Sequence, residues 1–433
     1  MQWDANLTNI PSINSLNLFV QVSMAVQSTP AGFSGSENKA YSLLSVMTGH
    51  IGPITCVTAT DDGKVASGGV DGVRLWNLRT ATELARPSGA GQRGATTALA
   101  WIQREDEPDD GLVYGTANGY LVCWKETRGS EDLASFQETY CVKIAKPTEV
   151  TGIAFEAGSN RLAIANRNSV VQLFLINSRM QLNHVFTVII NNHVPKAIAF
   201  RQTSGEHKDI LTFGLYDGQI HILQGSNGEI QQTRNTGCNI GNAAINARRG
   251  VFCIDDPLQG VALYRLDSGA RIRTYPVAVK KSSKPRQVTF AEDCSVILCG
   301  SDHGTVYVFD RRSGDVVDKL KIGNDRIQAT TAVEMNETKF VLAAISQGNT
   351  EASDILVWQK NIDKRVQQKA TEILETWDAL KMVVYVSLCV ASLAVVFQNL
   401  SVRVHLLHKT SVNEPSQINA SIVEKAMDYL RLI

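Results

Sequence analysis

Short apolar runs alternate with turn-forming residues along most of this chain, and the alternation keeps a fixed rhythm. A strand, a tight turn and a second strand ending in a large apolar residue read VASGGVDGVRLWNL (65–78), VYGTANGYLVCWK (113–125) and LAIANRNSVVQLFLI (162–176). The pattern returns as LTFGLYDGQIHIL (211–223), VFCIDDPLQGVALYRL (251–266), VILCGSDHGTVYVFD (296–310) and FVLAAISQGNTEASDILVWQ (340–359). The residues that end the second strand are Trp76, Trp124, Phe174, Leu223, Tyr264, Phe309 and Trp358, separated by 48, 50, 49, 41, 45 and 49 positions. That pace matches the roughly 40–50 residues of a four-stranded propeller blade. Val-Asp-Gly, Ala-Asn-Gly, Tyr-Asp-Gly and Asp-His-Gly each put a turn-former before a glycine, as a two-residue hairpin needs.

Each hairpin has further apolar runs beside it. Ile54–Thr58, Thr97–Trp101, Val150–Phe155, Lys196–Phe200, Gln287–Phe290 and Ala329–Val333 precede hairpins, while Tyr140–Ile144 and Val185–Ile190 follow them. Four strands per unit and seven units predict an all-β, seven-bladed β-propeller over residues 41–360. The last unit runs out at Trp358, so Tyr41–Met47, just ahead of Gly49-His50, is expected to donate its missing strand. Building one blade from both ends of the ring removes a sheet edge that would invite aggregation.

At the first unit the pattern resembles a known family. Thr48-Gly49-His50, Ser67, Val70-Asp71-Gly72 and Leu75-Trp76-Asn77 look like a WD40 repeat with Asn for its final Asp. The resemblance implies a hydrogen-bonded tetrad of His50, Ser67, Asp71 and Trp76 that locks the blade. Physical chemistry asks the same, because a buried imidazole, hydroxyl or indole N–H without a partner costs about 1–3 kcal/mol. The other units lack Gly-His and are expected to rely on apolar packing around Trp124, Phe174, Leu223, Tyr264, Phe309 and Trp358. Segments such as VPKAIAF, FGLYDGQIHIL, LYRLDSGA and SDHGTVYVFDRRSGD also resemble a large family of WD40-type propellers from mushroom-forming fungi, over roughly residues 41–360. That resemblance implies the fold and no particular activity.

The C-terminal part reads differently. Residues 382–402, MVVYVSLCVASLAVVFQNLSV, carry no formal charge between Lys381 and Arg403. As a helix they reach about 32 Å at about 1.5 Å per residue, against a bilayer core of about 30 Å. Eleven Val, Leu or Phe residues favour insertion, by roughly 3–7 kcal/mol on the translocon scale. A single membrane-spanning helix is therefore expected, with packing on the propeller as the alternative. Lys364, Arg365, Lys369 and Lys381 precede it and only Arg403 and Lys409 follow closely. That asymmetry predicts a cytosolic propeller anchored to an intracellular membrane, with Asn419-Ala420-Ser421 a sequon on the luminal side. Residues 361–381 read as an amphipathic linker helix through Val366, Ala370, Ile373, Leu374 and Trp377. Residues 403–433 read as a short tail whose last helix opens at a capping box, Ser421–Glu424.

Composition narrows the function. Forty-two basic and forty-two acidic side chains cancel, so no overall field draws the chain to nucleic acid. Eight cysteines without a C-x-x-C pair suggest reduced thiols rather than disulfides or zinc. The first 38 residues hold no Lys or Arg, which speaks against a secretory signal or a mitochondrial leader there; residues 1–40 are expected to be a partly disordered extension, in which apolar Leu16–Val26 adds at most a stray strand or helix. No phosphate-binding loop, H-E-x-x-H helix or nucleophile elbow is present. The eight histidines are isolated in sequence, and Asp61-Asp62 and the Asp106–Asp110 run read as solvated loops. Arg311-Arg312 and Lys280-Lys281 read as solvated pairs or as a rim for acidic partners. No catalytic residue, cofactor, metal or small-molecule substrate is expected. The sequence points to a protein-binding scaffold, membrane-tethered or a soluble WD40 adaptor. A propeller enzyme at the channel mouth is the competitor, since fold does not decide activity.

Overall fold

The computed structural model describes residues 40–87, 93–128, 134–144, 148–202, 207–280, 284–348, 350–360, 380–396 and 398. Residues 41–360 form seven antiparallel four-stranded sheets, a seven-bladed β-propeller. Blade 1 runs from Ile54 to Glu83, blade 2 from Thr96 to Lys143, blade 3 from Val150 to Ile189 and blade 4 from Pro195 to Asn235. Blade 5 covers Ala243 to Pro276 and blade 6 Val288 to Lys321. Blade 7 takes three strands from Arg326 to Lys360 and its outer strand from the other end of the ring, Tyr41–Ile51. Tyr41 pairs with Lys360 and Ile51 with Ala352. The donated strand is longer than expected and takes in Gly49 and His50.

The repeat seen in the sequence is a repeat of register. Trp76 faces Val65 across the second and third strands of its blade, Trp124 faces Leu112, Phe174 faces Leu162 and Leu223 faces Ile210. Tyr264 faces Phe252, Phe309 faces Ile297 and Trp358 faces Val341. At Trp124, Phe174, Leu223, Tyr264 and Phe309 the pairing with the outer strand slips by a β-bulge. A bulge sharpens the local twist, which a blade needs to turn from the channel to the rim. Blade 1 lacks it because its outer strand is only Thr82–Glu83.

The core lies between sheets. Met47, Leu342 and Ile355 of blade 7 pack with Ile54 and Trp76 of blade 1; Leu75 of blade 1 packs with Leu112 and Trp124 of blade 2. Each fully buried large side chain contributes about 1.5–3 kcal/mol, and each contribution is shared between neighbouring blades. Threonine hydroxyls stitch the inner strands together. Thr97 Oγ1 donates to Val150 O at 2.7 Å and Thr330 Oγ1 to Gln287 O at 3.2 Å. The closing strand is tied to blade 6 as well: Tyr41 N donates to Asp318 Oδ2 at 2.9 Å, and the Tyr41 hydroxyl and the Lys360 ammonium both reach Glu292.

Two features depart from the sequence reading. Ala243–Asn246, the inner strand of blade 5, falls in a stretch too short and polar to stand out. Asp110 is not a solvated loop residue: with Glu126 it meets Lys64 Nζ, each at 2.8 Å. Asp106 is held by Arg104 at 2.5 Å, so most of that acidic run is neutralised by basic partners.

Residues 380–396 are helical, crossing the expected boundary at 382. Every described side chain of this helix is exposed, Val383 at 62% and Leu388 at 61%, so none is buried against the propeller as the packed alternative requires. Among the described residues no helix is long and apolar enough to cross a membrane. Residues 397 and 399–402 of the expected span lie outside them, as do the extension at 1–39, most of the linker at 361–379, the sequon and the terminal helix.

Candidate interaction face

Antiparallel connectivity brings two sets of loops to one end of every sheet: the turns between second and third strands, and the links from each outer strand to the next inner one. We call this end the loop face. Val70 pairs its N–H with Pro53 O at 3.3 Å, which shows how closely the two sets are pressed together in blade 1. Glycine is required where they meet. A Cβ on Gly218 (φ +64°) would lie 2.3 Å from Cys238 O.

The loop face carries an apolar signature. Among the described residues, every exposed large apolar side chain lying between propeller strands is on it: Val70 (44% exposed), Tyr216 (60%), Leu258 (73%) and Val279 (38%). The other exposed apolar residues of the propeller sit on strands. Beside Tyr216, Arg167 donates to its hydroxyl at 3.3 Å and to Glu149 Oε2 at 2.7 Å. The loop face therefore carries aromatic, aliphatic and charged groups.

Beneath the face lie buried polar nodes. The structure brings His50, Ser67, Asp71 and Trp76 together. His50 Nδ1 lies 2.6 Å from Asp71 Oδ1, and His50 Nε2 lies 2.7 Å from Ser67 Oγ. Trp76 Nε1 donates to the same hydroxyl at 2.7 Å. Burial raises the proton affinity of Asp71, but the His50 bond and charge and Arg74 outweigh it and hold the carboxyl down to about 2. Of the remaining anchors, Trp124, Leu223, Tyr264, Phe309 and Trp358 are buried and Phe174 is half-buried. Trp124 Nε1 and Tyr264 Oη have no hydrogen-bond partner among the described residues, so these two are held by packing.

Blade 4 corrects the expectation that the other units rely on apolar packing alone, and that the histidines are isolated. His193 Nδ1 lies 2.8 Å from Asp217 Oδ2 and its Nε2 3.0 Å from Thr212 Oγ1. His221 stands edge to face against it, ring centroids 4.4 Å apart. Burial lowers the proton affinity of both rings. The signal was present in Asn192-His193, where Asn replaces the Gly of Gly49-His50, and in Tyr216-Asp217-Gly218.

The inner strands enclose a channel with a cavity of about 190 Å³. Its wall is more polar than the hairpin strands suggest, with Thr55, Thr97, Thr151, Lys196, Gln287 and Gln328 facing it. The Cys56 thiol there is pushed up to about 11 by burial, outweighing nearby Thr55 and Lys196; a thiol in that state is a poor nucleophile. Asp255, also buried, is pushed up to about 6 by desolvation against the pull of Arg286. All eight cysteines are free, and Cys141 and Cys389 are exposed rather than buried.

The family model described as "WD domain, G-beta repeat" matches residues 41–77, the closing strand and the first three strands of blade 1. Among solved structures, the "Crystal structure of WD40 beta propeller domain of Doa1" aligns with a TM-score of 0.56 at 17% identity, covering 76% of this chain and 99% of that one. No curated protein matches the chain. The likeness supports the fold and carries no activity.

Proposed function

We propose that this chain is a non-catalytic scaffold that holds protein partners on its loop face. The observation that carries this reading is the confinement of exposed apolar loop residues, Val70, Tyr216, Leu258 and Val279, to that one face. Aromatic and aliphatic groups beside an arginine are what the centre of a protein interface uses. A propeller face also offers the broad surface that partners of ordinary size need. The balance of 42 basic and 42 acidic side chains speaks against nucleic acid. Under this reading His50, Ser67, Asp71 and Trp76 serve the fold: they stiffen the loops that present the face. The resemblance to propellers of mushroom-forming fungi adds no activity to this.

The test is proximity labelling in the native cell with the wild type, Y216A/L258D and a control pair on the outer strands, I230D/V316D. The reading expects a set of labelled proteins lost with Y216A/L258D and kept with the control. An unchanged set in Y216A/L258D overturns it.

A membrane tether through residues 382–402 is part of the same proposal. The helix at 380–396 exposes Met382, Val383, Val384, Tyr385, Val386, Leu388 and Leu393, around its circumference, and a predominantly apolar surface suits lipid. Ser387 and Ser392 turn their hydroxyls back onto Val383 O and Leu388 O, at 2.8 and 2.7 Å, which hides polar groups that lipid would not satisfy. The flanking basic residues favour a cytosolic propeller on an intracellular membrane. Carbonate extraction checks this: a tethered chain stays in the pellet, and release into the supernatant removes the tether.

A further inference from the structure

The second polar node differs from the first at one position, and the difference creates a ligand set. Arg74 faces Ser67 across blade 1, and donates through Nε to Asp71 Oδ2 at 3.1 Å. The residue that faces Thr212 in blade 4 is His221. In place of a guanidinium that saturates the carboxylate, blade 4 therefore sets a second imidazole beside His193 and Asp217. One donor atom from each of His193, Asp217 and His221 lies within 4.8 Å of the others. We propose that these three side chains form a binding site for a divalent transition-metal ion of the zinc class.

The donor chemistry selects that class. Two imidazole nitrogens and one carboxylate oxygen suit Zn²⁺ and its first-row neighbours, whereas Mg²⁺ and Ca²⁺ demand oxygen ligands. His221 is already oriented. Its Nδ1 lies 2.8 Å from Thr233 Oγ1, and Nε2 makes no hydrogen bond among the described residues although His221 is only 7% exposed. An N–H directed to Thr233 leaves the Nε2 lone pair for a metal, the arrangement that outer-shell hydroxyls and carbonyls provide around ligating histidines.

His193 has a route to the same state. Its Nδ1 meets the Asp217 carboxylate and its Nε2 meets the Thr212 hydroxyl. A hydroxyl both donates and accepts, so the ring can carry its proton on Nε2, toward Thr212, and free Nδ1 for the ion with no net proton gained or lost. Asp217, with its side chain 18% exposed, is the side from which an ion and a completing water enter from the loop face.

The experiment uses the full chain, stripped with a chelator and titrated with ZnCl₂ against a chromophoric competitor. We expect one ion per chain with Kd below about 10 µM, and at least about tenfold weaker binding in H221Q. H184Q, which removes an exposed histidine, should bind as the wild type does. Wild-type protein that takes up no Zn²⁺, or H221Q that binds unchanged, overturns the site. Where H221Q does not fold, Co²⁺ added to the wild type decides: visible d–d bands of a low-coordinate nitrogen and oxygen site are expected, and their absence overturns the proposal.

Discussion

His50 Nε2 lies 2.7 Å from Ser67 Oγ, and the two residues belong to different blades. His50 arrives on Tyr41–Ile51, the outer strand of blade 7, while Ser67 stands on the second strand of blade 1. The bond therefore spans the seam where the ring closes. On the other side of the same strand, Tyr41 engages Glu292 and Asp318 of blade 6. One donated strand is thus pinned by polar contacts to both neighbours of its blade.

Ser67 is the shared partner of two buried groups, so its removal should cost more than one hydrogen bond. S67A leaves His50 Nε2 and Trp76 N–H unpaired in a site that is 1% exposed at both residues. We expect a loss of about 2–4 kcal/mol. T212V in blade 4 orphans only His193 Nε2 and should lose about 1–2 kcal/mol. Urea unfolding of the two variants checks the ordering, and equal losses would remove the special role of the seam.

Glu156 sets an acid limit on stability. Burial raises its proton affinity, but Lys208 at 2.5 Å and Ser159 outweigh this and hold the carboxyl down to about 2. A folded value below the unfolded one means the contribution is complete above about pH 4.5 and fades as pH falls towards 2. E156Q should flatten the fall of Tm between pH 5 and pH 2. A Tm profile parallel to that of the wild type over this window would contradict it.

The sequence showed the fold clearly because the propeller repeats a local pattern: strand, turn, strand and anchor recur at a pace that needs no long-range information. It showed the first polar node for a related reason, since Gly-His, Ser, Asp-Gly and Trp all stand in one short stretch. The second node was hidden because its histidine follows Asn rather than Gly, and because His221 is chemically silent until the register places it opposite Thr212. Asp255 and Arg286 lie 31 positions apart, one on the second strand of blade 5 and the other in the link that leads into blade 6, and only the packing of neighbouring blades brings them together. The apolar loop residues were unreadable for another reason: single exposed side chains mean nothing until topology sorts them onto one face.

The buried histidines of blade 4 predict a second pH effect at a higher window. Desolvation lowers the proton affinity of His193 despite Asp217, and that of His221 with help from His193. The unfolded chain takes up these protons near its ordinary value of about 6.5, while the folded chain resists. Stability is then complete above that value and declines as pH falls below it. In chelator-treated protein, H221Q should lose less unfolding free energy than the wild type between pH 7.5 and 5.5. Urea titrations at the two pH values give the comparison, and an equal or greater loss in H221Q would refute it.

Among the described residues, the ion pair that joins blades 5 and 6 is the most deeply buried, and it should behave accordingly. Arg286 Nε and N–H donate to the two oxygens of Asp255 at 2.9 and 2.7 Å, and Nη2 adds a bond to Asp256 O at 2.9 Å. Neither side chain is more than 4% exposed. R286L strands the carboxylate and should cost about 3–5 kcal/mol. D255L/R286L removes both charges and should recover all but about 1 kcal/mol, the worth of the bond from the Arg286 backbone N–H. Equilibrium unfolding of the pair of variants tests this, and a double variant as unstable as R286L would mean that the pair contributes by shape rather than by charge.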